Sequence, residues 1–553
     1  MIRPWFADVV VYQIYPMSFN DSNGDGIGDL NGINAKLDYI KKLGANFVWL
    51  NPIYKSPNAD NGYDISDYTM IQPAYGTMND FKALLKNAHQ KGIRIMMDLV
   101  ANHTSDQHEW FKQSQKSKDN PYSDYYIWSD PVDGHAPNEW QSVFEGPAWT
   151  YVAARNQYYL HSFASAQPDL NWRNPKVRAA IYDIMRFWLD LGVDGFRMDA
   201  IDFIAKPKWD NEGQSFTDVG VAEPNLTRLN QYLREMNQQV LSKYHHILTV
   251  GEMSTATPDA AAQFSNLDGS ELNMVFQFEH VNLSPNPDSR LGKWNDAPVK
   301  VTELKSVLSK WQVGLDGRGW NSLYWNNHDQ PRAVSRFATD AKPYRVRAAK
   351  MLATTLHLLQ GTPYVYEGEE LGMTNAHFNR LDQYEDLDSI NAYHQVVDID
   401  HIVDGKQMLS YLADRSRDNA RTPMQWSNES NAGFTSGTPW YQLNPNYPQI
   451  NARMELVDHD SVFYHYQKLI EFRKTNTTIQ YGTYTELDAA DDKVFAYIRE
   501  LEHQRVLVIS NFTSETVNRD YGQSSGQLII SNYDDDRGTE IRPYESKVYE
   551  LNN

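Results

Sequence analysis

Three carboxylates in this chain sit at the ends of short apolar runs that lie far apart in sequence. Asp199 closes Gly195-Phe196-Arg197-Met198-Asp199, Glu252 follows Leu248-Thr249-Val250-Gly251, and Asp329 ends Asn326-Asn327-His328-Asp329. In an extended run Arg197 and Asp199 share a face, and a guanidinium beside a carboxyl keeps it ionised, as a nucleophile requires. A buried structural ion pair would look the same on that stretch alone. Glu252 has no cation next to it in sequence and follows apolar residues, so its carboxyl is expected to hold a proton it can donate. Asp329, His103 and His328 could hydrogen-bond hydroxyl groups and strengthen as charge develops. Such a set suits cleavage of a sugar acetal: one carboxylate attacks while another protonates the leaving oxygen. The chain has no cysteine, which excludes thiol catalysis and disulfides.

These residues converge only if the elements carrying them close into a ring. Apolar, turn-bounded runs predict strands at 8–16, 45–52, 93–102, 195–198, 246–253, 272–278, 322–325 and 363–366. Helical spacing predicts helices at 31–43, 79–91, 175–191, 226–244, 301–311 and 344–359. Eight strands alternating with helices predict an α/β fold, a closed (β/α)8 barrel, with reactive residues at the carboxyl ends of the strands. The barrel takes residues 1–103 and 172–480. Residues 104–171 interrupt it after the third strand as a small irregular domain, and 376–455 form a charged, loop-rich subdomain after the eighth. From 481 to 553 short alternating runs predict an antiparallel β-sandwich.

Across 553 residues the net charge is -20, which argues against a nucleic-acid partner. The N-terminus lacks a leader and no run is long enough to span a bilayer, so a cytoplasmic chain without membrane contact is expected. Aromatic residues make up 13% of the chain, which suits stacking on sugar rings. Residues 21–29, Asp-Ser-Asn-Gly-Asp-Gly-Ile-Gly-Asp, place oxygen side chains at alternate positions with glycines to bend the backbone. That pattern fits a hard cation, calcium rather than magnesium, although a metal-free polar turn would read alike.

The blocks DLVANH (98–103), QPDLNW (167–172), GFRMDAID (195–202), GEMS (251–254) and NNHD (326–329) resemble those of the alpha-amylase superfamily, glycoside hydrolase family 13. Within it the chain is most similar to the oligo-1,6-glucosidase and alpha-glucosidase branch, over essentially its whole length. The resemblance implies a retaining mechanism with Asp199 as nucleophile, Glu252 as general acid/base and Asp329 as transition-state stabiliser. It implies that His103, Arg197 and His328 hold the sugar, and that one structural calcium uses Asp21, Asn23, Asp25, the Ile27 carbonyl and Asp29. Asp60, Tyr63 and Arg415 match residues that close the pocket over a terminal glucose, with Arg417 the neighbouring choice for the last. Phe144, Phe163 and Gln167 match pocket walls.

Branch members that prefer α-1,6 links carry valine after the nucleophile; here Ala200 leaves room for an α-1,4-linked ring. Residues 279–285 (EHVNLSP) lack the acceptor loop of sucrose isomerases. The resemblance therefore implies an exo-acting α-glucosidase for maltose and short malto-oligosaccharides, transferring glucose at high substrate. Its rivals are an oligo-1,6-glucosidase, a trehalose-6-phosphate hydrolase and an inactive sugar-binding relative.

Overall fold

The computed structural model describes residues 4–207 and 224–552. Eight parallel strands form its centre: β1 (Val11–Ile14), β2 (Phe47–Leu50), β3 (Arg94–Val100), β4 (Gly195–Asp199), β5 (Leu248–Glu252), β6 (Met274–Phe276), β7 (Ser322–Leu323) and β8 (Thr362–Tyr366). They pair in the order β6-β5-β4-β3-β2-β1-β8-β7. The ring shuts between β6 and β7 through a bridge of Val275 to Asn321 and a hydrogen bond from Ser322 Oγ to the Val275 carbonyl (2.7 Å). This is the closed barrel that the alternation of strands and helices predicts.

Every residue of β1, β2, β4 and β8 is buried, as continuous apolar runs covered on both faces should be. Register then decides which polar residues meet. Arg197 lies beside Asp98 across β3–β4 and beside Val250 across β4–β5. Gly195 is required at the start of β4, because a Cβ there would stand 2.2 Å from the Leu248 carbonyl oxygen. The helix delivering the chain to β4, Pro175–Leu191, runs over the predicted span. Asn174 caps it by accepting the Lys176 N–H, and it ends at left-handed Gly192. The helix predicted at 31–43 is instead two, Leu30–Ala35 and Leu37–Leu43, with Asp29 capping the first.

The insertion after β3 is more regular than expected. Trp128–Ser129, Gln157–Leu160 and Trp149–Val152 form a three-stranded antiparallel sheet, and Glu109–Ser114 a helix. Its strands are too short to give a periodic signal. After β8 a subdomain with helices Leu387–Tyr393 and Gly405–Arg415 packs around Trp294, Phe378, Met408, Leu412 and Tyr441. The helix Val462–Thr475 then returns to the barrel. The C-terminal region is a five-stranded antiparallel sheet of β9 (Thr483–Leu487), β10 (Val494–Leu501), β11 (Gln504–Asn511), β12 (Gly526–Ser531) and β13 (Ser546–Leu551), ordered β9-β10-β11-β13-β12. A separate ladder pairs Val517–Asn518 with Glu540–Ile541. Among the described residues no helix is long and apolar enough to cross a membrane.

Candidate active site

One guanidinium organises the carboxyl ends of β3, β4 and β5. Arg197 is 1% exposed and donates through Nη1 to Asp98 Oδ1 and Asp199 Oδ1, both at 2.7 Å. Its Nη2 donates to Glu252 Oε2 at 2.8 Å. Glu252 Oε2 also accepts the backbone N–H of Ala200 at 2.8 Å, which ties it to the residue after Asp199. Ala200 takes the left-handed conformation, φ 38°, and so turns the chain sharply off the end of β4. Arg197 and Asp98 are sealed in, whereas the side chains of Asp199, Glu252 and Asp329 keep 11%, 12% and 22% exposure. The partly open carboxylates are therefore those a substrate could reach.

Two expectations about protons need correcting. Glu252 is not free of cations, because β5 brings it onto the same fork that holds Asp199. Nor does Arg197 by itself keep Asp199 low. Burial pushes the Asp199 carboxyl well up, Arg197 pulls it down, and the charges of Glu252 and Asp98 push it up again. With one cation among three carboxylates, Asp199 and Glu252 titrate as a unit.

His328 joins this cluster to the third carboxylate. Its Nε2 lies 2.7 Å from the Tyr63 hydroxyl and 3.0 Å from Asp329 Oδ2, and its Nδ1 lies 3.0 Å from Gln13 Nε2. The Tyr63 hydroxyl donates to Asp98 Oδ2 (3.0 Å) and accepts from Asn51 Nδ2 (2.6 Å), and its ring stacks on His328 at 5.3 Å. Burial alone would push Asp329 up. His328, Arg417 and Arg421 outweigh it and hold the carboxyl well below the usual range.

The pocket-closing arginine is Arg417, not Arg415. Arg417 Nη1 donates to Asp329 Oδ1 at 2.9 Å, its Nη2 to Asp386 Oδ1 at 2.5 Å, and Nη2 lies 3.8 Å from Asp60 Oδ1. Arg421 meets Asp329 (2.9 Å) and Asp386 (3.2 Å) from the other side. Arg415 is the last residue of helix Gly405–Arg415. Its guanidinium turns outward to the Ser284 carbonyl (2.8 Å) and Asn295 Oδ1 (3.1 Å), because extended Ser416 separates the two arginines and reverses their directions. Asp60 accepts from Gln167 Nε2 (2.9 Å), which also lies 3.1 Å from His103 Nε2. Burial lifts Asp60 to about 7 against the pull of Arg417, and burial lowers His103 to about 4, leaving a neutral imidazole. Phe163 faces His103 at 5.2 Å and Phe144 at 5.7 Å, and Arg417 stacks over Phe144 at 5.1 Å. All the proposed sugar-holding residues except Arg415 thus fall in one connected patch. Asp98, Asp386, Arg421, Gln13 and Asn51 join them without having been singled out. Asp98 and Gln13 did carry a signal, as polar residues inside apolar strands.

The 21–29 loop folds on its own hydrogen bonds. Asp21 Oδ1 accepts the N–H groups of Asn23 and Gly24, and Oδ2 those of Gly26 and the Thr435 hydroxyl. Asn23 accepts from Asp25 and Asp25 from Ile27, while Asp29 accepts from Ser22 and Gly32. Oxygens of the hard-cation type are present, but these side chains turn to loop amides. Among the described residues no group of three or more histidine, aspartate and glutamate side chains stands as a metal-holding cluster.

Comparison with known proteins agrees with this architecture. The family described as "Alpha amylase, catalytic domain" matches residues 13–482. The chain is 51% identical to an oligo-1,6-glucosidase of Parageobacillus thermoglucosidasius, with 100% of both chains covered. It is 50% identical to an alpha-glucosidase of Pediococcus pentosaceus, covering 99% of each. A crystal structure of isomaltulose synthase from Erwinia rhapontici NX5 superposes with a TM-score of 0.95 at 41% identity, covering 100% of both chains. A closed barrel whose strand ends gather three carboxylates around one arginine, matched from end to end, places this chain in the alpha-amylase family of glycoside hydrolases.

Proposed function

We propose that this enzyme is an exo-acting, retaining α-glucosidase that removes glucose from the non-reducing ends of short α-gluco-oligosaccharides. The observation that carries the reading is Arg197 spanning Asp199 and Glu252 while Asp329 faces them through His328. Asp199 Oδ attacks the anomeric carbon as Glu252 gives its proton to the departing glycosidic oxygen, leaving a glucosyl ester. Water then attacks the same carbon, Glu252 takes the proton of that water, and Asp199 departs. Retaining enzymes hold the two carboxyls about 5–5.5 Å apart. A single fork bonded to both, with a further bond from Glu252 to the Ala200 amide, favours that close class. Asp329, kept ionised by two arginines, would stabilise positive charge at the ring. Asp60, Arg417 and Gln167 meet at the closed end, where they would bind terminal hydroxyls and block longer chains. A second sugar in place of water would give transglucosylation.

For linkage we favour α-1,4 over α-1,6, on Ala200 beside the nucleophile. The α-1,6 reading is favoured by the names of relatives such as the Parageobacillus enzyme. Rates on maltose and isomaltose decide between them. Proton NMR of the first glucose released tests the mechanism: α-glucose is expected, and β-glucose would end the retaining assignment. We further propose that the 21–29 loop holds a structural calcium through Asp21, Asn23, Asp25, the Ile27 carbonyl and Asp29. The alternating oxygen donors support it, and no step of the reaction runs through that ion. A cytoplasmic location is proposed on the missing leader alone.

A further inference from the structure

Arg415 has no part in the sugar pocket, yet it is only 6% exposed. It lines a cavity of about 420 Å³ where the β6 and β7 loops meet the C-terminal sheet, and Arg336 lines the same cavity. Arg336 donates to the Leu283 carbonyl (2.5 Å), and Arg415 to Ser284 and to the carbonyl and side-chain oxygens of Asn295. Neither guanidinium pairs with a carboxylate among the described residues, although Asp414 and Asp296 line the same space. Every arginine of the sugar pocket differs in this respect, since Arg197, Arg417 and Arg421 each bond two or more carboxylates. Arg473 and Arg499 are also bound to carbonyls alone, but both are fully buried and have the form of loop clamps.

We infer that Arg336 and Arg415 form a second binding site, for a tetrahedral oxyanion such as inorganic phosphate or the phosphate group of a sugar ester. Guanidinium forks match such oxygens two at a time. Two of them side by side repel, and burial together with that neighbour drops Arg336 to about 9, while burial drops Arg415 to about 10. A dianion between them would relieve the repulsion. The nearest opposing carboxyl, Asp414, is pushed up by burial and so gives up its negative charge more readily. Phe512 and Tyr544 close the outer wall from the C-terminal sheet. The site therefore bridges two regions of the chain, and Arg415 stands two residues from pocket-closing Arg417.

Titration calorimetry of the whole enzyme tests this, with phosphate against chloride at matched ionic strength and excess glucose present to fill the sugar pocket. Saturable phosphate binding is expected, weakened about ten-fold in Arg336→Gln and in Arg415→Gln, as loss of a charge-assisted fork should do. A second titration uses glucose 6-phosphate. Tighter binding than phosphate points to a sugar ester as the occupant, and equal binding to free phosphate. Absence of saturable binding to either probe in the wild type would overturn the site, as would undiminished binding in Arg336→Gln. The wild-type titration stands even if Arg415→Gln, which ties two loops, fails to fold.

Discussion

Replacing Arg417 by lysine separates charge from geometry at the closed end of the pocket. Arg417 spends Nε and Nη2 on Asp386 and Nη1 on Asp329, with Asp60 just beyond at 3.8 Å. Two cations, Arg417 and Arg421, thus face three carboxylates in a place where only Asp329 keeps appreciable exposure. Lysine keeps the charge but is a single point on a flexible stem and cannot reach Asp386 and Asp329 together. At least one charge-assisted hydrogen bond is lost, and such bonds contribute roughly 1.5–3 kcal/mol each. If the bond to Asp329 is the casualty, that carboxylate loses part of what fixes it against the developing positive charge. A loss of about 3 kcal/mol in the transition state lowers kcat/KM on p-nitrophenyl α-glucoside by about 100-fold. Arg417→Met removes the cation as well, and should cost more in both activity and melting temperature, because a buried carboxylate is left with less compensation. An Arg417→Lys enzyme within five-fold of wild type would refute the role given to this fork.

Four further outcomes are expected. Asp199→Ala should lower turnover by at least about 1,000-fold while leaving the melting curve in place, and substantial residual hydrolysis would remove the nucleophile assignment. Asp386 is held at about 2 by Arg417 and Arg421 against its burial. Its stabilisation is therefore complete above the unfolded value near 3.9 and is lost as pH falls towards 2, by roughly 2–3 kcal/mol. Urea unfolding should show the gap between wild type and Asp386→Asn closing from pH 5 to pH 3, and a constant gap would contradict the pairing. Ala200→Val should raise isomaltose over maltose by a factor matching about 1–3 kcal/mol, and should also lower the melting temperature, since φ is 38° there and β-branched residues resist that region; an unchanged substrate ratio would leave α-1,4 preference without support. Chelation should lower the melting temperature more than the activity, and a melting curve indifferent to prolonged chelation would count against calcium in the 21–29 loop.

The barrel was readable because its strands are short apolar runs set between strongly amphipathic helices, as in Pro175–Leu191. The catalytic rim followed, since a polar residue at the end of such a run has few other places to go. What could not be read was direction. Nothing in Asp414-Arg415-Ser416-Arg417 reveals that the helix stops at Arg415, so the choice between the two arginines needed coordinates. Asp386 was hidden in an insertion without periodicity, and its importance comes from two arginines more than thirty residues away. Proton placement was also misread from sequence. Arg197 and Asp199 are neighbours along β4, but Asp98 and Glu252 reach the same guanidinium from β3 and β5, and that sharing exists only across strands.

Because Arg197 is common to both reacting carboxyls, the two half-reactions would be electrically linked. Once Asp199 is esterified it no longer carries charge, and the guanidinium is left with Asp98 and a Glu252 that has just given up its proton. The mutual repulsion that favoured a protonated Glu252 disappears at that moment. Glu252 can then remain an anion long enough to draw a proton from water. The enzyme would switch its acid into a base without moving an atom of the scaffold.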